Sequence, residues 1–193
     1  MQGINWIALS LDTTKSPKTI RKHQELLSQE AVKWLKKLSS NGKSTYADAQ
    51  FFLAECYGTG TLGLSVDHDK AFQLYLQASK QSHPASTYRT AVCYEVGAGT
   101  KRDANRALQF YRKAAAMGET AAMYKLGTIL LNGTLGQQKN PREAITWLKR
   151  AASQADESNP HALHELGTLY EGKNQDMENV IIAVSLISKC EGD

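Results

Sequence analysis

Two histidines near the C-terminus have a spacing that could support metal chemistry. His161 and His164 are three residues apart, so a helix would place both imidazoles on one face, as in a zinc site. A zinc site needs a third protein ligand, and the sequence offers no motif that supplies one. Packing at the start of a helix is the better interpretation, and we predict no metal and no cofactor.

Two glycine pairs suggest phosphate-binding loops at first sight. Gly58-Thr59-Gly60 and Gly97-Ala98-Gly99 recur at the same place of an internal repeat, however, so we interpret them as turns. The sequence also offers no nucleophile elbow and no glycosidase-like carboxylate pair. We therefore predict a protein that is not an enzyme, with no catalytic residues and no small-molecule substrate.

The three cysteines do not suggest disulfide or lipid chemistry. Cys56 and Cys93 occupy the same repeat position, which favours buried thiols over redox or metal sites. Cys190 lies four residues from the end, as in a prenylation motif, but Glu191-Gly192-Asp193 lacks the aliphatic pair that this motif requires. We expect no lipidation at Cys190.

The elements that hold these residues form a repeat. Equivalent apolar pairs follow one another at offsets of 37, 36 and 40 residues: Cys56-Tyr57, Cys93-Tyr94, Ile129-Leu130 and Leu169-Tyr170. A small residue stands two positions before each pair: Ala54, Ala91, Gly127 and Gly167. A second pattern recurs at offsets of 36 and 37, over 71–78, 107–114 and 144–151. Small residues where helices cross, with large apolar residues at helical spacing, predict two packed helices in each unit.

This periodicity predicts an all-α fold, a right-handed α-α superhelix (solenoid) of helical hairpins. Gly60, Gly97 and Gly133 are expected to end the first helices, each followed by a second loop glycine. Prolines are expected at helix starts: Pro84 and Pro160 in first helices, and Pro141, behind Asn140, in a second helix.

We predict one array rather than several domains. Residues 1–15 are expected to be a flexible N-terminus, and 16–172 an array of about four repeats, with units near 47–83, 84–118, 119–158 and 159–172 onward. Ser16-Pro17 is typical of the cap and first turn of a helix that carries Ile20, Leu27, Ala31, Trp34 and Leu38 on one face. In the fourth unit Gly172 comes one position early, which predicts a different loop. Residues 173–193 lose the repeat register, and an atypical cap and a truncated end are both open interpretations.

The repeat length and the glycine-bearing loop resemble the SEL-1-like repeat more than the 34-residue tetratricopeptide repeat. Over roughly residues 28–172 the chain further resembles the fungal chitin synthase activator family. The segments that carry this resemblance are 30–38, 47–57, 91–95, 145–152 and 165–167, together with Gly118. The resemblance implies a non-enzymatic regulator that binds a membrane chitin synthase and helps to recruit or activate it in cell-wall or septum formation. A general SEL-1-like adaptor in signalling or membrane-protein quality control is the alternative, and a nonfunctional fragment of an array is a third.

Charge and hydropathy indicate where in the cell the protein is located. The formal net charge is +4, and residues 1–43 carry eight basic against three acidic side chains. This basic segment could contact an acidic membrane surface or an acidic partner, although a solvated helix face is the alternative, and no nucleic-acid module accompanies it. No apolar run is long enough to span a membrane, and residues 4–11 are too short and lack the basic leader of a signal peptide. We expect a cytoplasmic protein that reaches the plasma membrane through its partner.

Candidate binding residues lie on the first helix of each unit. One equivalent position holds Phe52, Arg89, Lys125 and Glu165, and its neighbour keeps a ring in every unit: Phe51, Tyr88, Tyr124 and His164. Stacked hairpins present such positions along one groove, and arginine and tyrosine are favoured at binding hot spots. We predict that Tyr88, Arg89, Tyr124 and Lys125 bind a protein partner. Packing of the rings between repeats is the alternative.

Overall fold

The computed structural model describes residues 17–40, 46–154 and 164–168. Seven helices lie in these ranges: α1 (Pro17–Ser40), α2 (Ala47–Thr59), α3 (His68–Lys80), α4 (Pro84–Val96), α5 (Ala104–Ala116), α6 (Thr120–Asn132) and α7 (Pro141–Ser153). Residues 164–168 are also helical, and the described residues contain no strand. The predictions for 1–15, Pro160, His161, Gly172, 173–193 and Cys190 lie outside the described residues.

Successive helices pair into hairpins, α2 with α3, α4 with α5, and α6 with α7, and each hairpin packs against the next. The core is a continuous ribbon of small and large side chains that crosses all three hairpins. The small first-helix residues Ala54 and Ala91 are fully buried. The alanines at the two ends of the second-helix pattern in α5 and α7 are also fully buried: Ala107, Ala114, Ala144 and Ala151. The predicted all-α array of hairpins is confirmed.

The loop inside each hairpin is fixed by its two ends. The first helices end at Gly60, Gly97 and Gly133, all in the left-handed conformation that favours glycine. The second helices begin behind the side-chain caps Asp67, Asp103 and Asn140. The backbone N–H of each cap donates back to the first helix, to the carbonyls of Tyr57, Tyr94 and Leu130 at 2.8–2.9 Å. These bonds close the three loops in the same way. The predicted turns at Gly97-Ala98-Gly99 and at Gly60 are confirmed, whereas Gly58 and Thr59 of the predicted Gly58-Thr59-Gly60 turn lie in the last turn of α2.

The middle loop differs from the other two. It runs from Gly97 to Asp103, one residue shorter than its counterparts, and it lies against the start of α3 in the preceding hairpin. A Cβ added to Gly99 would come within 2.0 Å of the His68 carbonyl oxygen, and Gly99 also has a φ of +66°. Glycine is therefore required there for space as well as for conformation.

The helix α1 occupies the second-helix place of a preceding unit but is longer. It has 24 residues where α3, α5 and α7 have 13. Leu27 stands at the register of the caps Asp67 and Asp103, and α1 continues through it. The helix is confirmed, but its buried apolar residue is Val32, whereas Leu27 and Trp34 of the predicted stripe are about half exposed, at 47% and 56%.

Candidate interaction surface

The first helices bring the predicted binding positions into one row. Phe52 of α2 is 57% exposed. The side chains of Arg89 in α4 and Lys125 in α6 are 45% and 35% exposed. Glu165, in the helical segment 164–168, is partly buried. The row therefore changes from apolar to basic to acidic along the array.

Arg89 is held by the preceding hairpin. Its Nε and Nη2 contact both carboxylate oxygens of Glu55 in α2, at 2.8 and 3.0 Å. The Tyr75 hydroxyl of α3 donates to the same carboxylate at 2.6 Å. Burial, followed by this hydrogen bond, raises the pKa of Tyr75 above its usual value. We call this three-residue set, Glu55, Tyr75 and Arg89, the first rung.

The second rung repeats this arrangement one hairpin further. Lys125 Nζ of α6 lies 3.0 Å from a carboxylate oxygen of Glu95 in α4. The Tyr111 hydroxyl of α5 donates to the other oxygen of Glu95. Tyr111 is fully buried, and that burial is the main reason why its pKa is raised. Both rungs thus tie a first helix, its own second helix and the next first helix together.

The carboxylates of the rungs were missed in the sequence because they break the repeat register. Tyr75 and Tyr111 are 36 residues apart, as are Arg89 and Lys125, but Glu55 and Glu95 are 40 apart. Glu95 lies one helical turn later in its helix than Glu55 does, yet both reach a tyrosine and a cation. A search for a carboxylate about one repeat before each cation would have found them.

The tyrosine neighbours of the cations are partly buried. Tyr88 packs on Tyr111 with ring centroids 5.8 Å apart, and burial raises the pKa of Tyr88. Burial also raises the pKa of Tyr124, with a further contribution from Glu165. The structure therefore gives Tyr88 and Arg89 contacts within the array, and Lys125 a contact with the preceding hairpin. Partner binding by Tyr88, Arg89, Tyr124 and Lys125 stays a prediction.

Among the described residues, no such rung joins the third hairpin to the helical segment 164–168. Leu148 stands at the register of Tyr75 and Tyr111, and Glu165 stands at the register of Arg89 and Lys125. Gly127 replaces the buried alanine of the other first helices, and a Cβ there would come within 2.7 Å of Leu148 Cγ. Close apolar packing between α6 and α7 takes the place of the hydrogen-bonded tyrosine.

The chemistry of this surface is that of contact rather than catalysis. A shallow pocket of about 170 Å³ lies beside the first rung, lined in part by Glu55, Tyr75 and Arg89. Its volume is below the roughly 300 Å³ at which ligand pockets begin, so it suits a side chain better than a substrate. Burial raises the pKa of the Cys93 thiol to about 11, so this thiol stays protonated near neutral pH.

Among the described residues, no three metal-ligating side chains cluster. None of the described helices is both long and apolar enough to cross a membrane.

A stack of helical hairpins joined by polar rungs defines a helical-repeat scaffold. The Sel1 repeat model matches residues 28–43, 47–83, 84–119 and 120–156. The chain belongs to the Sel1 repeat family.

Relatives and solved structures agree with this assignment. The chain is 39% identical over 143 residues to chitin synthase regulatory factor 3 of Schizosaccharomyces pombe, covering 73% of this chain and 15% of the relative. It is 38% identical over 145 residues to the chitin synthase regulator SKT5 of Saccharomyces cerevisiae, covering 74% of this chain and 20% of that protein. A Sel1 repeat protein from Oxalobacter formigenes superposes with a TM-score of 0.72 at 27% identity, over 86% of this chain and 65% of the other.

The chain spans a fifth or less of the length of these two fungal relatives. Both are named as regulators, which supports a non-enzymatic regulatory adaptor and confirms the predicted resemblance.

Proposed function

We propose that this chain is the part of a regulatory adaptor that binds a chitin synthase and helps to recruit or activate it at the plasma membrane. The observation that carries the proposal is the similarity to two proteins named as chitin synthase regulators, over about three quarters of this chain. The proposed location is cytoplasmic, with the membrane reached through the partner.

The first-helix row is the surface that we propose for the synthase. It combines a half-exposed phenylalanine, two half-exposed cations and partly buried tyrosine rings on neighbouring helices. Tyrosine and arginine are enriched at binding hot spots. The rungs hold Arg89 and Lys125 in fixed positions before a partner arrives. A partner with acidic and apolar groups in one extended segment fits this row.

The test is a crosslinked pull-down from fungal membranes with the 193-residue chain as bait, followed by mass spectrometry. The first variant, Arg89→Glu with Lys125→Glu, reverses both cations but also breaks both rungs. A second variant adds Glu55→Arg and Glu95→Lys, so that each rung regains an opposite-charge pair with the cation moved out of the row. The loop pair Lys101→Glu with Arg102→Glu serves as the control, because both residues are exposed and the change in net charge equals that of the first variant.

We expect the unaltered chain and the loop control to recover a chitin synthase, and both row variants to lose it while circular dichroism shows that they keep their helix content. Recovery by the charge-swapped variant would mean that Arg89 and Lys125 only hold the hairpins together. Recovery of a different client without a synthase would contradict the proposal and favour a general adaptor.

A further inference from the structure

The two sets of helices in the array differ sharply in charge. The second helices α1, α3, α5 and α7 carry fourteen basic and four acidic side chains. The first helices α2, α4 and α6 carry two basic and three acidic. The whole chain has 23 basic and 19 acidic residues, so the basic ones are concentrated on the second helices. Because stacked hairpins place their second helices side by side, these charges form one surface, which we call the second-helix surface.

Much of this positive charge faces solvent. Every basic side chain on the second helices whose burial is described is exposed. The cap residues Asp67 and Asp103 neutralise Lys70 and Arg106, at 2.8 and 3.4 Å. The helix α1, by contrast, carries six basic and two acidic side chains. The ion pair between Lys33 and Glu30 of α1, at 3.4 Å, joins side chains that are 76% and 60% exposed, so it contributes little.

The helix α1 also exposes large apolar side chains. Leu26, Leu27 and Trp34 are 52%, 47% and 56% exposed. Leu27 and Trp34 are two helical turns apart and therefore share a face. In α7 the equivalent tryptophan, Trp147, is partly buried against the core. The Lys37 ammonium lies 4.9 Å from the centre of the Trp34 ring, so basic and apolar groups adjoin on this helix.

We propose that the second-helix surface binds an anionic lipid bilayer, with α1 as the element in contact. Leu26, Leu27 and Trp34 enter the boundary between headgroups and acyl chains, and the lysines of α1 bind the headgroups. Basic residues beside exposed leucine and tryptophan on a long helix are the features of helices that lie in a membrane surface. The basic residues of α5 and α7 add longer-range attraction to the same anionic surface.

An acidic protein segment fits these observations less well. Its binding would call for a compact cluster of cations around a groove, whereas here the charges extend over four helices and the apolar residues project from one of them. Binding to lipid needs no synthase, so protein-free vesicles test it separately from the proposed function.

The experiment is co-sedimentation of the full chain with phosphatidylcholine vesicles, with and without phosphatidylserine. We expect binding that requires phosphatidylserine and weakens as salt is raised. A basic residue near an anionic surface contributes roughly fivefold in affinity, so Lys22→Glu with Lys36→Glu is expected to weaken binding by more than about tenfold. The loop control Lys101→Glu with Arg102→Glu makes the same change in net charge and is expected to weaken binding by less than about threefold.

A second pair of variants tests the apolar contact. Leu27→Ser with Trp34→Ser removes two apolar side chains from α1, and Val96→Ser removes one from the 70% exposed position in α4. We expect weaker binding from the α1 variant and unchanged binding from Val96→Ser. Circular dichroism verifies that each variant keeps its helix content.

Three results overturn the inference: no dependence on phosphatidylserine, equal losses in the α1 and loop charge variants, or full binding by Leu27→Ser with Trp34→Ser.

Discussion

The first two hairpins and the third solve one packing problem in different ways. In the first two, the small residue of the first helix is a buried alanine, and a buried tyrosine of the second helix donates its hydroxyl to a carboxylate. In the third, Leu148 crosses Gly127, and no hydroxyl is present at that register. The carboxylate that accepts from the tyrosine also binds a cation of the next hairpin, whereas the contact between Leu148 and Gly127 lies within one hairpin.

The difference shows how a repeat can keep its geometry while its energetics change. A buried tyrosine hydroxyl needs a partner, and the carboxylate that accepts from it also attracts a cation from the next unit. A leucine needs volume instead, and glycine supplies it by removing the Cβ that would otherwise overlap. The polar rungs therefore add to the apolar packing at two junctions between hairpins, whereas the close glycine–leucine contact lies inside the third hairpin.

The largest expected effects concern the apolar pair. Leu148 is fully buried, so Leu148→Ala is expected to lower the free energy of unfolding by about 3 kcal/mol. Gly127→Ala alone forces a methyl group against Leu148 and is expected to lower that free energy by about 2 kcal/mol. In the Leu148→Ala background, Gly127→Ala meets no leucine side chain. It is then expected to raise the free energy of unfolding by about 1 kcal/mol, because alanine favours the helix more than glycine does. Urea unfolding of the unaltered chain, the two single variants and the double variant measures the coupling energy between positions 127 and 148.

A coupling near zero in this cycle would contradict the close contact between Gly127 and Leu148. Ala91→Gly, at the same register in α4, is the control. It relieves no overlap and removes a fully buried methyl group, so it is expected to cost about 2 kcal/mol in helix propensity and lost apolar burial together.

Intermediate effects are expected from the second rung. Glu95→Ala leaves the fully buried Tyr111 hydroxyl without its acceptor, which is expected to cost about 2 kcal/mol of unfolding free energy. Lys125→Met removes a side chain that is 35% exposed and leaves the tyrosine bond intact, so its cost is expected to stay below about 1 kcal/mol. Urea unfolding compares the two variants.

Adding Tyr111→Phe to Glu95→Ala serves as the control, because it removes the unpaired hydroxyl and is expected to recover part of the loss. A larger loss from Lys125→Met than from Glu95→Ala would mean that the ion pair, not the buried hydroxyl, controls this junction.

The smallest expected effect lies in the connections between hairpins. Ser82 has a φ of +60° where the next connection has Gly118 with a φ of +92°. Ser82→Gly relieves a left-handed serine and is expected to raise the unfolding free energy by roughly 0.5 kcal/mol, after the entropy of glycine is subtracted. Gly118→Ser is expected to lower it by about 1 kcal/mol. Thermal unfolding compares the two, and a loss in Ser82→Gly would show that the serine side chain is itself stabilising.

Most of the fold could be predicted from local pattern. Gly60, Gly97 and Gly133 end the first helices as expected, and Pro84 and Pro141 stand in the first turns of α4 and α7. These signals depend on the conformation of one or two residues, so they are visible without knowledge of their neighbours. The burial of Cys56 and Cys93 was also predicted, because equivalent positions of a repeat have equivalent surroundings.

The candidate site could be predicted less completely. Arg89 and Lys125 stand out in the sequence as the cations of a register that also holds Phe52 and Glu165. Their partners Glu55 and Glu95 do not share a register. Their convergence depends on how far one helix is displaced along another, which side-chain spacing within one helix does not encode.

The sequence by itself determined the repeat, its boundaries and the hairpin class of the fold, because each follows from periodic burial and from the backbone preferences of glycine and proline. Only the tertiary structure decided that the row cations are bound by carboxylates of the preceding hairpin, and that the basic second helices lie side by side in one surface. Both depend on distances between helices that are far apart in the chain, and such distances are set when the hairpins stack.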